Sequence, residues 1–313
     1  MKRALVTGAS GFCGQHLTRY LEEQGIAVHT LSRAAVSCTR YQVIDPGDVS
    51  VLSAVMRDVR PDYVFHLAGV AVAEDPSVFY RVNTLYAASL LQALAQTGYD
   101  TCPVLLVGTA AEYGMITETQ LPIAENCPPH PYNDYGISKL AQTLLGLAVA
   151  RRNRPIVIVR PFNILGPGMP GYLVAQSFAS QMARILDGTA PPVIHVGNLQ
   201  SSRDFIDVDD VVEIYWRLVQ APQAYGEIVN VCSGRPIVIG DMLTQMVKVA
   251  GISVEIRPEP TRFKSLDIPV HYGSPDKLQR MLGTVPSTTL EVSLRRLLAS
   301  TTRNPFSPAP HKT

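Results

Sequence analysis

Three side chains between residues 108 and 139 have the types needed to move a proton onto or off an oxygen atom. They are the hydroxyl of Thr109, the phenol of Tyr135 and the ammonium of Lys139. The first lies in Gly108-Thr109-Ala110-Ala111-Glu112-Tyr113-Gly114, the other two in Tyr135-Gly136-Ile137-Ser138-Lys139. A phenol with its ordinary pKa of about 10 is a poor acid or base at neutral pH. A fixed positive charge within about 4–6 Å would stabilise its anion and lower that value. Four residues apart on a helix, Tyr135 and Lys139 share a face, so the spacing predicts that the lysine supplies this charge. Thr109 could then hold a carbonyl or alcohol oxygen while Tyr135 gives or takes its proton. A Tyr-x-x-x-Lys pair alone is a weak signal. It gains meaning only with a dinucleotide site ahead of it.

Such a site is legible at the start of the chain. Residues 3–6 read as a strand, followed by Gly8-Ala9-Ser10-Gly11-Phe12-Cys13-Gly14 and then by Leu17, Tyr20 and Leu21 at helical spacing. Strand, glycine turn and helix make a phosphate cradle, because the backbone can approach a pyrophosphate and the helix N-terminus faces its charge. The spacing of Gly8, Gly11 and Gly14 is GxxGxxG; the alternative is a turn that merely lets strand and helix pack. A second strand, 27–31, ends in Ser32-Arg33, with no acid to bond the ribose hydroxyl of NAD. A hydroxyl and a guanidinium suit a 2′-phosphate, which favours NADP(H), with NAD(H) as the alternative. Asp45, after a third strand, could hold an adenine amino group, and Asp48 is expected to cap the next helix. The buried strand ending in His66-Leu67-Ala68-Gly69 would let a cofactor lie against backbone. His66 itself reads better as a hydrogen-bonded core histidine than as a base.

The remaining elements must position the three reactive side chains. A helix is expected over 78–95 with Asn83 as its polar exception, and a strand over 104–107 delivers Thr109. A segment rich in Pro, Asn and Asp, 118–134, precedes a helix that carries Tyr135 and runs to about Arg151. A sixth strand ends in Pro161-Phe162-Asn163. Strands alternating with helices to residue 165 predict an α/β fold with a doubly wound, Rossmann-type parallel sheet. Gly8, Asp45, Gly69, Thr109 and Asn163 then all fall at carboxyl ends of strands, where such sheets bind ligands. Past Pro170 the rhythm changes: a helix over 174–186, an extended 193–196, then Arg203-Asp204-Phe205-Ile206-Asp207. Arg203 is placed to clamp a diphosphate, or else to pair with Asp204 or Asp209. Asp207 to Asp210 read as the acids that open a helix. A seventh strand, 227–232, is expected to rejoin the sheet. The organisation is thus 1–165 as a cofactor-binding domain rejoined by about 203–232, with 166–202 and 233–303 as a smaller substrate lobe. A proline-rich tail, 304–313, is expected to fray.

Composition narrows the field. At 313 residues, 46% hydrophobic and 17% charged, the chain is ordinary for a globular enzyme. A net charge of +1 gives no reason to expect nucleic acid or an anionic membrane as partner. No apolar run reaches the roughly 20 residues of a membrane span, and no apolar signal segment opens the chain. Cys13, Cys38, Cys102, Cys127 and Cys232 are scattered without CxxC spacing. They predict reduced thiols in a cytoplasmic protein, with neither a disulfide frame nor a metal site.

Taken together, these stretches resemble the extended short-chain dehydrogenase/reductase superfamily, in its nucleotide-sugar-modifying branch. The likeness covers almost the whole chain and rests on the N-terminal glycines, His66 to Gly69, Thr109, Tyr135/Lys139, Arg160 to Asn163, and Arg203 to Phe205. Within that branch the sequence looks most like the reductases of 4-keto-6-deoxy sugar nucleotides. The resemblance implies that Thr109, Tyr135 and Lys139 are catalytic. It implies that Asn163 and Arg203 contact a nucleotide-sugar substrate, and that a homodimer forms through helices from about Asn83 and Tyr135. The family's Arg-Pro-x-Glu near the nucleotide appears as Lys264-Ser265-Leu266-Asp267, which leaves the nucleotide open among GDP, dTDP, UDP and CDP. Dehydratases of the branch carry a glutamate where this chain has Ala111, so 4,6-dehydration lacks its base. The reductase expectation is NADPH-dependent reduction of a C4 ketone. Its rivals are a nucleotide-sugar 4-epimerase with tightly held NAD and a non-catalytic NADP-binding regulator.

Overall fold

Apolar runs too short for helices alternate with amphipathic stretches along the first half of the chain, and they become parallel strands of one sheet. The structure is a computed structural model that describes residues 1–32, 41–42, 47–263 and 267–303. Strands β1 (Arg3–Thr7), β2 (Ala27–Ser32), β3 (Tyr41–Gln42), β4 (Tyr63–His66), β5 (Val104–Val107) and β6 (Ile156–Pro161) form in that order. After β7 (Asn163–Leu165), β8 (Val193–Val196) and β9 (Ser202–Asp207), the chain returns as β10 (Ile228–Val231). The sheet order is β10-β6-β5-β4-β1-β2-β3, parallel throughout. Strand order reverses at β1, which pairs with β2 on one side and β4 on the other. This is the doubly wound arrangement expected from the sequence, and its reversal point is where such sheets open a ligand crevice.

Successive residues of a strand face opposite layers, and the two layers form separate cores. Leu5, Val64, Leu106 and Ile158 pack against helices α2 (Val49–Val59) and α4 (Tyr86–Gln96). Val6, Phe65, Leu105 and Val157 pack on the other side, where Leu17 and Leu21 come from α1 (Phe12–Glu23). Asp48 caps α2 as expected, accepting from the backbone N–H groups of Ser50 and Val51. The helix predicted over 78–95 differs in detail. A short α3 (Ser77–Phe79) opens into a π turn, Tyr80–Leu85, before α4 begins. The fully buried Asn83 sits in that wider turn and uses its whole amide. It accepts from Val70 N (2.8 Å) and donates to Val70 O (3.0 Å) and to Ser138 Oγ (2.9 Å).

Helices α5 (Asp134–Ala150), α6 (Val174–Leu186) and α7 (Val208–Val219) follow, the last capped by Asp207 as the acid run predicted. A third core joins α6, α8 (Ile239–Ala250) and α10 (Leu290–Arg303) around Met182, Met246 and Leu297. Between α8 and α10 lie β12 (Glu255–Pro258), β13 (Val270–His271) and α9 (Asp276–Leu282), and β11 (Pro236–Val238) precedes α8. Strand β9 is flanked by β11 and β13, with β7 also pairing to it. Fully buried Asp204 ties these parts together: it accepts from Ser233 N and Oγ, Gly234 N and Gly273 N at 2.7–3.3 Å. No helix among the described residues is long and apolar enough to cross a membrane.

The N-terminal turn is the tightest joint. Gly8 adopts φ +71°, a conformation that side-chain-bearing residues rarely take. A Cβ on Gly14 would stand 2.1 Å from Gly8 O and 2.7 Å from Ala9 Cα. Backbone cannot yield as a flexible side chain can. Gly14→Ala is therefore expected to cost about 3 kcal/mol of stability through overpacking. A urea melt checks it: an unchanged midpoint would show that helix α1 can shift away from the turn.

Candidate active site

A cavity of about 540 Å³ opens at the carboxyl ends of the central strands. Phe12 enters from the turn after β1, Leu67 and Gly69 from the end of β4, Thr109 from the end of β5, and Pro161 and Asn163 from the end of β6. Helix α5 adds Tyr135 and Lys139, and the far wall is built by Arg203 and Asp267. Of the residues picked from sequence for chemistry and for substrate, Thr109, Tyr135, Lys139, Asn163, Arg203 and Asp267 thus share one chamber. Gly8, Gly11, Gly14 and Ser32 lie beyond its wall, on the turn that leads to Phe12, in the first turn of α1 and at the end of β2. Ala68 is also outside it, its N–H donating to Thr7 Oγ1 at 3.2 Å. Arg33, Asp45 and Lys264 lie outside the described residues.

Local sequence explains how Tyr135 and Lys139 reach the chamber. Asn133 caps α5, its side chain accepting from Gly136 N at 2.8 Å, so the helix starts one residue before Tyr135. Gly136 lets that first turn press against the Thr109 loop, since a Cβ there would be 2.8 Å from Ala111 O. One turn further on, Lys139 is buried and its Nζ donates to Val107 O (2.8 Å) and Gln142 Oε1 (3.1 Å). Burial pulls its pKa down to about 8, against which Glu112 pushes up.

Here the sequence expectation needs correcting. The lysine directs its ammonium to Val107 and Gln142, and burial dominates at the phenol. Tyr135 is pushed up to about 12, with the Thr109 hydroxyl pulling it back. Burial of an aromatic alcohol disfavours its anion. Tyr135 is accordingly a protonated donor at neutral pH.

His66 behaves as the core histidine foreseen. It is fully buried, within 2.8 Å of Thr7 Oγ1, and held neutral with a pKa near 3 by burial and by Lys139. Arg203 pairs with neither of its expected partners. Asp204 is engaged by backbone N–H groups, and Asp209 bonds His16 and Arg296. The guanidinium reaches instead to Asp267, Nη2 to Oδ1 at 2.6 Å, while Nη1 donates to Ser202 O. Asp267 also accepts from Asn198 Nδ2 at 2.6 Å, so both of its oxygens are occupied. Asn163 donates to Asp204 O at 2.8 Å.

Sequence reasoning missed several cavity residues: Cys13, Tyr132, Tyr172, Phe205 and His271. His271 lies beside Arg203 in the β13–β9 pairing, and burial and that arginine lower its pKa to about 4. Cys13 and Phe205 stand within stretches already singled out, while nothing in spacing or composition marks Tyr132, Tyr172 and His271, which meet the site only in three dimensions. Ala111 lines the cavity where a carboxylate would be needed to remove a proton from carbon. The neighbouring Glu112 is fully buried and does not line it.

The chain is similar to known proteins over nearly its whole length. Over 306 residues the chain is 35% identical to the GDP-6-deoxy-D-mannose reductase of Pseudomonas aeruginosa, covering 95% of this chain and 96% of that protein. It is 30% identical to the GDP-6-deoxy-D-talose 4-dehydrogenase of Aggregatibacter actinomycetemcomitans, covering 90% and 91% respectively. Among solved structures it resembles that of RMD from Pseudomonas aeruginosa complexed with NADPH. The TM-score is 0.87 at 32% identity, over 97% of this chain and all of that one. The model of the NAD dependent epimerase/dehydratase family matches residues 4–232, and the chain belongs to that family.

Proposed function

We propose that this protein reduces the C4 ketone of a 4-keto-6-deoxy nucleotide sugar with NADPH, as a GDP-4-keto-6-deoxy-D-mannose reductase does. One observation carries the reading. Thr109, Tyr135 and Lys139 share a single chamber whose wall at Ala111 has no carboxylate. That set can protonate an oxyanion and lacks a base for carbon.

The residues present fit a dinucleotide. Gly8 and Gly14 have the tight-turn and close-packing roles of the phosphate-binding glycines, and Gly11 stands between them. Phe12, Leu67, Gly69 and Pro161 would continue the site into the chamber, with Ala68 behind them. Ser32 closes β2 with its hydroxyl 3.3 Å from that of Ser10, two hydroxyls placed where they suit a 2′-phosphate. Arg33 and Asp45 keep the cofactor roles assigned to them from sequence. When bound, NADPH supplies the hydride; NAD(H) remains the alternative donor. Tyr135, protonated at neutral pH, gives its proton to the oxygen that becomes the C4 hydroxyl, and the Thr109 hydroxyl orients that oxygen. Lys139 holds the floor of the site as a cation. At the other end Arg203, Asn163, Asp267 and, from sequence, Lys264 would take the nucleotide diphosphate. On this reading residues 1–165, rejoined by about 203–232, form the cofactor domain, and 166–202 with 233–303 the nucleotide-sugar lobe.

Tyr135→Phe keeps the ring and removes the donor. Turnover should fall by about 10²–10⁴-fold, while NADPH affinity, followed by its fluorescence, stays close to wild type. Near-normal turnover would take the proton-donor role from Tyr135. Incubation with NADPH and a panel of 4-keto-6-deoxy nucleotide sugars, with products identified by NMR, tests the reaction itself. Tightly co-purified NAD and no net NADPH oxidation would point to the epimerase instead.

The homodimer belongs to the same proposal. Ile137 and Leu144, seven residues apart on one face of α5, are 42% and 57% exposed, and Leu85 beside α4 is 54% exposed. Large apolar side chains gathered on adjoining helices suit a self-complementary interface. Leu144→Glu is expected to yield the monomer mass in sedimentation; a wild-type dimer in that variant would place the interface elsewhere. The described cysteines are free thiols, which suits a reducing compartment such as the cytoplasm.

A further inference from the structure

The proposed chemistry leaves one group unexplained: a carboxylate with no access to the chamber. Glu112 closes the short turn after β5 and is fully buried. Its Oε1 accepts from Thr109 N at 3.0 Å, and its Oε2 accepts from Arg160 Nε of β6 at 2.8 Å. The Arg160 guanidinium lies 4.5 Å from the centre of the Tyr113 ring, and the Tyr113 hydroxyl donates to Asn230 Oδ1 of β10 at 2.7 Å. The ends of three neighbouring strands are thereby bolted to one carboxylate. The contact is close: a Cβ on Gly108 would stand 2.3 Å from Oε1. On the same strand end, one residue earlier, Val107 O accepts from Lys139 Nζ. A buried anion and a buried cation thus grip the backbone on either side of Gly108, at Thr109 N and at Val107 O.

We infer that Glu112 is a positioning residue of this site, fixing the backbone at Thr109 and supplying the buried negative charge that keeps Lys139 an ammonium. The inference rests on the proposed roles of Thr109, Tyr135 and Lys139. An isolated buried ammonium tends to lose its proton, and an opposite charge nearby restores the charged form. The groups around Lys139 leave Glu112 as the source of that charge. His66 from β4 is neutral, Tyr135 on the same helix is a protonated phenol, and Arg160 from β6 is engaged by Glu112 itself. Burial draws Lys139 down to about 8, and the glutamate is the charge that opposes it. Activity that needs the ammonium would be present below that pH and fade above it.

Glu112→Gln tests this, because the amide oxygen can still accept from Thr109 N while the charge is gone. Competitive labelling with acetic anhydride, read peptide by peptide in a mass spectrometer, gives the pKa of Lys139 without any assay of turnover. It should fall by about one unit, a tenfold loss of proton affinity. The alkaline limb of kcat/KM should move down by the same amount, with KM little changed at pH 6. The Gln variant leaves Arg160 buried without a counter-charge. Should that variant fail to fold, Glu112→Gln with Arg160→Gln relieves it, and the same fall is expected. A Lys139 pKa equal to that of wild type in whichever variant folds overturns the inference. If no nucleotide sugar is reduced, the labelling result still decides it, so the two readings fail separately.

Discussion

Holding an ammonium away from water is costly unless its protons find acceptors, and the site is arranged around that requirement at Lys139. Val107 O and Gln142 Oε1 accept from it, and Gln142 turns its own amide N–H to the same carbonyl at 3.0 Å. Helix α5 is thereby pinned to the end of β5, and Tyr135, one turn earlier on the helix, is set in place. The loop after β4 must accommodate the same cation. A Cβ on Gly69 would lie 3.1 Å from Lys139 Nζ and 3.2 Å from Asn83 Oδ1. The π turn then follows from the need to bring the Asn83 amide onto that loop and onto Ser138. Strand, loop, turn and helix converge on one charge.

The two ends of the chamber are electrostatically different. Around Tyr135 the one charged group is the ammonium of Lys139, turned to Val107 O and Gln142, and the buried phenol gives up its proton only to a strong base such as an alkoxide. At the Arg203 end the guanidinium is already matched by Asp267, which Asn198 holds from the other side. An anionic ligand arriving there competes with a carboxylate for the fork of the arginine. The pair keeps Arg203 extended and oriented toward the chamber. A pair that is only about one-fifth exposed can fill this orienting role without contributing much to stability.

How much of this could be read in the residues depends on whether the signal was local. The glycine spacing, the Asp48 and Asp207 caps and the apolar strand runs are local. Each appeared where expected, and so did the meeting of Thr109, Tyr135 and Lys139, which follows from strand ends in a doubly wound sheet. Arg203 lines the cavity, but its partner is 64 residues away, and nothing short-range announces Asp267 as that partner. The lowered pKa expected at Tyr135 failed because spacing gives proximity and not the direction in which an ammonium points. The π turn was hidden because Asn83 looks like any polar residue in an apolar helix until Val70 and Ser138 are brought to it. Glu112 was legible in one respect: Thr109-Ala110-Ala111-Glu112 is a capping box, and both of its bonds form. Its pairing with Arg160 was not.

That capping box also bears on which reaction the fold supports. Glutamate is present in this stretch, one position away from where a base for carbon would stand, so its mere presence in the sequence does not decide the chemistry. The short turn over Ala110–Glu112 does. It presents Ala111 to the chamber and rotates Glu112 into the protein, where Thr109 N, Arg160 and the flank of Gly108 enclose it. Swinging the carboxylate outward would leave Arg160 buried beside an aromatic ring with its counter-charge gone, a loss that falls among the most destabilising single changes. The glutamate is thus turned away from the chamber, and the wall at Ala111 is left with a proton donor and an orienting hydroxyl beside it and no carboxylate of its own. A wall of that composition suits reduction of a ketone and opposes removal of a proton from the neighbouring carbon.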